Sequence, residues 1–177
     1  MTREDWLNIA TKALRPQFTT LPERVLVSCG FGSKRSALGQ WHNGTSSRDK
    51  VSHQVFISPV LDEPLDVLAT LVHELCHAAL TGTGHRAPFQ RLATSQGLVG
   101  PWKATKPGPN FRERYERVLA LLGPYPHPAL SLGEGKKQTT RMLKAECGNC
   151  GYTVRITRKW VDHVGPPHCP DHGEMNL

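Results

Sequence analysis

His73, Glu74 and His77 stand in the order H-E-x-x-H within His73-Glu74-Leu75-Cys76-His77. On a helix, residues i and i+4 share a face, so both imidazoles can reach one zinc ion. A carboxylate directly after the first histidine can reach a water on that metal. The chemistry this pattern points to is hydrolysis, with Glu74 as general base and a peptide bond as the first candidate substrate. A catalytic zinc needs a third protein ligand and one open position. His85, eight residues after His77, is best placed, because Gly82-Thr83-Gly84 lets the chain fold back. His42, His53, His127 and His163 compete, but none follows so suitable a turn. Tyr115, Tyr125 and His127 are candidates for a second oxyanion stabiliser. The bland reading is that these are ordinary helix residues. It would bury three ionisable groups without partners among Leu71, Val72, Ala78, Ala79 and Leu80, at a high desolvation cost.

A second donor set lies near the end. Cys147-Gly148-Asn149-Cys150 is a C-x-x-C knuckle, and Cys169-Pro170-Asp171-His172 adds C-x-x-H after 18 intervening residues. Four ligands from two such pairs make a closed, structural zinc site of the ribbon type, and the insert is long enough for a strand pair. His163 and His168 compete with His172 for the fourth position. A redox C-x-x-C is the other reading, but no βαβ pattern surrounds it. A module this small needs the metal to fold. It also carries Arg141, Lys144, Tyr152, Arg155, Arg158, Lys159 and Trp160. Cations beside flat rings suit single-stranded nucleic acid. The plainer alternative is that Tyr152 and Trp160 fill the tiny core while the cations solvate it.

The elements that must position these groups follow from spacing. Trp6, Ile9, Ala10, Ala13 and Leu14 predict a helix over 3–14, with Thr2 and Asp5 as a capping box. Strands are predicted at 24–29 and 53–58, separated by a polar loop or irregular hairpin over 33–50. A long helix over about 63–81 carries the H-E-x-x-H motif, opened by Asp62 or Glu63 with Pro64 in its first turn. Shorter helices are expected at 88–96 and 110–122, the latter capped by Asn110 and Glu113, with a loop over 97–109. Three units follow: a core over 1–122, a Pro/Gly/Lys linker over 123–140 and a zinc ribbon over 141–177.

The chain has 177 residues, enough for one modest core and a small appendage. Its net charge of +7 is compatible with a polyanion such as DNA, and also with ordinary solubility. No apolar stretch of about 18 residues predicts a membrane span. The acidic start, Met1-Thr2-Arg3-Glu4-Asp5-Trp6, does not read as a secretory signal. Five cysteines, an odd count, suit a reducing compartment, so a cytoplasmic location is expected, at the nucleoid if DNA is the partner.

His73-Glu74-Leu75-Cys76-His77-Ala78, followed by Gly84-His85 and Phe89, resembles the SprT-like metallopeptidases, the Spartan-related family. That family shows H-E-x-x-H, a variable gap, then G-H-x-x-x-F. The terminal ribbon is also similar, although it ends here in C-x-x-H rather than C-x-x-C. In layout the chain looks like the compact phage and actinobacterial type. The resemblance implies an α+β fold with a minimal zincin-like core, a few-stranded sheet packed on helices, plus the ribbon. It implies His73, His77 and His85 as ligands of a catalytic zinc and Glu74 as base. It further implies work near DNA, since relatives degrade proteins crosslinked to DNA. Two other functions compete: a non-enzymatic nucleic-acid-binding ribbon protein, and a narrow-specificity peptidase unrelated to DNA. Oligomeric state has no signature in the sequence.

Overall fold

The computed structural model describes residues 1–132 and 142–177. Arg141, named above as a nucleic-acid contact, and residues 133–140 of the expected linker lie outside the described residues. The chain divides into two compact units, Met1–Ser131 and Leu132–Leu177, and its fold class is mixed α+β.

The first unit begins with helix α1 (Arg3–Leu14), whose capping box forms as expected: Asp5 N–H donates to Thr2 Oγ1, and Thr2 N–H to Asp5 Oδ2. Its buried face is rotated from the expected stripe, because Leu7 is buried and Ile9 exposed. Three strands follow, β1 (Val25–Cys29), β2 (Gly39–His42) and β3 (His53–Ile57). They lie in the order β1-β3-β2, with β1 parallel and β2 antiparallel to β3. The alternation places Val27, Val55 and Ile57 in the core, while Leu26 is exposed. β2 lies inside the polar stretch read as a loop or irregular hairpin.

Helix α2 (Pro64–Ala79) is the spine of this unit. Ten of its residues are buried, among them Leu68, Leu71, Val72 and Leu75. Such a helix, apolar nearly all round, is stable only inside a core. Pro64 opens it, and Gly82 and Gly84 follow it at φ 83° and 56°, a left-handed conformation that glycine adopts readily. Helix α3 (Ala87–Ser95) comes next. The expected loop over 97–109 holds a short hairpin, β4 (Leu98–Val99) with β5 (Lys106–Pro107). The single helix expected over 110–122 is two, α4 (Phe111–Arg114) and α5 (Glu116–Leu122). The break is at Tyr115, whose hydroxyl donates to Gln96 Oε1 at 2.7 Å, a buried bond that overrides local propensity. Asn110 makes no side-chain cap.

Residues 123–131, read as the start of the linker, belong to the first unit. Trp6 Nε1–H donates to Gly123 O, Tyr125 packs edge-on against Trp6 at 5.1 Å, and Leu130 N–H donates to Pro59 O at 2.7 Å.

The second unit contains hairpin β6 (Leu143–Glu146) and β7 (Thr153–Ile156), helix α6 (Arg158–Val164), and hairpin β8 (His168–Cys169) and β9 (Gly173–Glu174). Its core is Ala145, Cys147, Cys169 and Met175 with Val154 against them. Among the described residues, no helix is long and apolar enough to cross a membrane.

Candidate metal centres

In the first unit, α2 presents His73 and His77 one turn apart, and the glycine turn returns His85 beside them. His77 Nε2 lies 3.1 Å from His85 Nε2, which lies 3.4 Å from His73 Nε2. Zn–N bonds of about 2.0–2.1 Å in a tetrahedron place ligand nitrogens ~3.3 Å apart. The spacing therefore suits one ion of that size. His73 Nδ1 is 2.8 Å from Thr105 Oγ1, a hydroxyl that can accept an Nδ1 proton and so leave Nε2, the nitrogen facing the other rings, as the lone pair for a metal.

Electrostatics favour neutral rings. Burial, then the charges of His77 and His85, holds His73 down to about 3. Burial, then His85, holds His77 to about 4. His85 is lowered by burial and by Lys103. Phe89 packs against all three rings, with centroids at 4.9, 4.3 and 5.0 Å. Glu74 is buried, and desolvation raises its carboxyl to about 8 against an opposing hydrogen bond from the Trp41 backbone. Cys76, inside the motif, is fully buried; burial, then the Glu74 charge, pushes its thiol to about 12.

His73, Glu74, His77 and His85 line a cleft of about 630 Å³. Ser36 to Trp41 form one part of its wall, and Lys103, Ala104 and Thr105 another. None of the three oxyanion candidates lines it. Tyr115 is bonded to Gln96, Tyr125 packs on Trp6, and His127 contacts Pro59 O and Arg3. The competing histidines are engaged elsewhere too, His42 against Phe56 and His53 with Trp41. Sequence reasoning missed Trp41, Lys103 and Thr105. Only Trp41 carried a signal, as a lone large aromatic in a polar stretch.

No family model, curated protein or solved structure matches the chain.

In the second unit, Cys147, Cys150, Cys169 and His172 offer donor atoms that all lie within 4.8 Å of one another. Cys150 Sγ is 3.7 Å from Cys169 Sγ, and Cys169 Sγ is 3.6 Å from His172 Nδ1. A tetrahedral zinc with Zn–S of about 2.3 Å would separate two sulfurs by ~3.8 Å, and a sulfur from a nitrogen by ~3.6 Å. All four residues thus fit one closed site. Backbone N–H groups of Cys150 and Asn149 hold the Cys147 thiol low, which favours a thiolate. His163 lies by Trp160 instead, and His168 is exposed on β8. The 18-residue insert, long enough for a strand pair, holds β7, α6 and the first residue of β8.

Tyr152 and Trp160 are exposed at 48% and 50%, so neither fills the small core. Lys159 Nζ sits 5.4 Å over the Trp160 ring, and Arg155 and Arg158 are exposed. Lys144 is paired with Glu146 and opposite Arg155 across the hairpin.

Proposed function

We propose that this chain is a zinc-dependent metallopeptidase of the SprT-like, zincin-like type, acting at DNA. The observation that carries this is one cleft holding three converging imidazole nitrogens and a buried carboxylate. A purely structural site would use four protein ligands and would have no need of Glu74. When bound by His73, His77 and His85, zinc supplies Lewis acidity toward water and a substrate carbonyl. Glu74 then takes the proton of the attacking water at its carboxylate and delivers it to the leaving amine. A dication nearby would draw the Glu74 carboxyl below its present value, toward working pH. Cys147, Cys150, Cys169 and His172 would hold a second, structural zinc. DNA contact is supported by the cations and exposed rings of the second unit, which suit stacking on single strands. A binding protein without catalysis is the second reading, favoured by those same rings, but it leaves Glu74 unexplained.

The test has two parts. Purified protein should hold two zinc ions, one lost in Cys147→Ser and the other in His73→Ala. Glu74→Gln should keep both and cut a DNA-binding protein at least about 10²-fold more slowly. Cleavage should rise with single-stranded DNA; cleavage indifferent to DNA favours a plain peptidase. Normal cleavage by Glu74→Gln would refute the mechanism.

A further inference from the structure

Trp41 meets His77, Glu74 and His53 in three different ways. Its indole lies nearly parallel to the His77 ring, 14° between planes and 6.2 Å between centroids. Its backbone lies near enough to the Glu74 carboxyl to oppose the upward shift that burial causes. Its Nε1–H donates to His53 Nδ1 at 3.1 Å. Indole nitrogen is a donor only, so the direction of that bond is settled, and the His53 proton must sit on Nε2. Burial lowers the His53 pKa, which keeps Nδ1 free to accept at neutral pH.

The register explains the contact. Trp41 pairs with Val55, and His53 is two residues along β3 on the same face, so the two rings are diagonal neighbours. Gly39 lies on that face as well. A Cβ there would come within 2.5 Å of Glu74 Oε1, so β2 lies directly against α2. Phe89 already stacks on the His77 ring at 4.3 Å, and the indole adds a second flat neighbour at 6.2 Å; each restricts rotation about the ring's last torsion.

We propose that Trp41 is a positioning residue of the cleft and His53 its anchor: their hydrogen bond holds the indole against His77, and so holds the His77 imidazole toward His73 and His85. The consequence for catalysis rests on the metallopeptidase reading; the positioning itself does not.

The test uses full-length His53→Leu, His53→Asn, Trp41→Phe and the Trp41→Phe/His53→Leu double variant. Zinc held by the first centre is titrated against a chelator. The thiolate centre is followed separately by its cobalt charge-transfer band. Each of Trp41→Phe and His53→Leu should weaken the first centre on the order of 10-fold. The double variant should be no weaker than either single one, because both remove one bond. His53→Asn, which returns an acceptor near the Nδ1 position, should restore affinity. Unchanged affinity in His53→Leu, or additive losses in the double variant, would overturn the proposal. In metal-free protein the Trp41 indole N–H should exchange with solvent faster in His53→Leu than in the wild type, and His53→Asn should restore the protection. If the wild type binds no ion at this centre, the peptidase reading fails, while indole exchange unchanged in His53→Leu still overturns the anchor.

Discussion

The hydroxyl of Thr105 reaches His73 Nδ1 from 32 residues further along the chain. As an acceptor it matches the tautomer that leaves Nε2 for a metal, and an outer partner of this kind typically governs ligand basicity as well as orientation. Thr105→Val keeps the shape and removes the hydroxyl. Zinc affinity of the histidine centre should fall by about 10–100-fold, read by chelator competition, while the cysteine centre is unaffected. The titrating groups make a second statement, about the metal-free protein. His73 and His77, near 3 and 4 when folded, rise to their ordinary 6.5 on unfolding. Glu74, about 8 when folded, returns to 4.5. Between 4.5 and 6.5 the unfolded chain holds two extra histidine protons and the folded chain one extra carboxyl proton, so stability rises with pH. From 6.5 to 8 only the Glu74 difference remains, with the opposite sign. Metal-free protein should therefore be most stable near pH 6.5 in denaturant titrations, and Glu74→Gln should flatten the alkaline side. A stability that kept climbing to pH 8 would contradict the burial of Glu74.

At the scale of elements, β2 is the piece that closes the cleft on the side of Glu74. Its approach depends on Gly39. An Ala Cβ there would also meet Thr70 Cγ2 at 2.7 Å, so either β2 or the Glu74 side chain must shift. Gly39→Ala should leave both ions bound and lower the rate of cleavage by about 10²-fold, the cost of a misplaced reacting group of about 1 Å. Unaltered kinetics would mean that the strand gives way instead. β2 is also where the sequence was least readable. Gly39-Gln40-Trp41-His42 shows no apolar alternation, and it becomes a strand because β3 pairs with it and α2 packs beneath it. Helix α2 was readable for the opposite reason, since its apolar spacing, Pro64 and the glycine turn are all local. The break at Tyr115 was not, because a distant Gln96 makes it. Helix α6 has no signal in the ligand spacing, which bounds the insert's length but not its conformation. Thr105, an ordinary residue in a Gly/Pro-rich loop, has no local mark.

Taken whole, the chain joins an α+β unit with an apolar core to a second unit whose buried cluster holds only Ala145, Cys147, Cys169 and Met175. The first unit has enough buried surface to fold without metal; the second is the kind that metal must hold together. Cysteine spacing announced the second centre and helix periodicity the first, and both donor sets converge in space. Their donors nevertheless differ in kind. One centre is imidazole alone, with the nearby Cys76 buried and its thiol inert. The other depends on three sulfurs, with Cys150 exposed. Thiolates are oxidised stepwise under peroxide, and sulfur that has gained oxygen no longer holds zinc; imidazole resists that path. Mild peroxide should release one equivalent of zinc per chain, counted with a chromogenic chelator, and leave the other in place. Release of both, or of neither, would contradict the assignment of donors. With zinc in both sites, a protein assembled in this way would meet oxidative stress unevenly, its small unit coming apart while the histidine cleft stayed loaded.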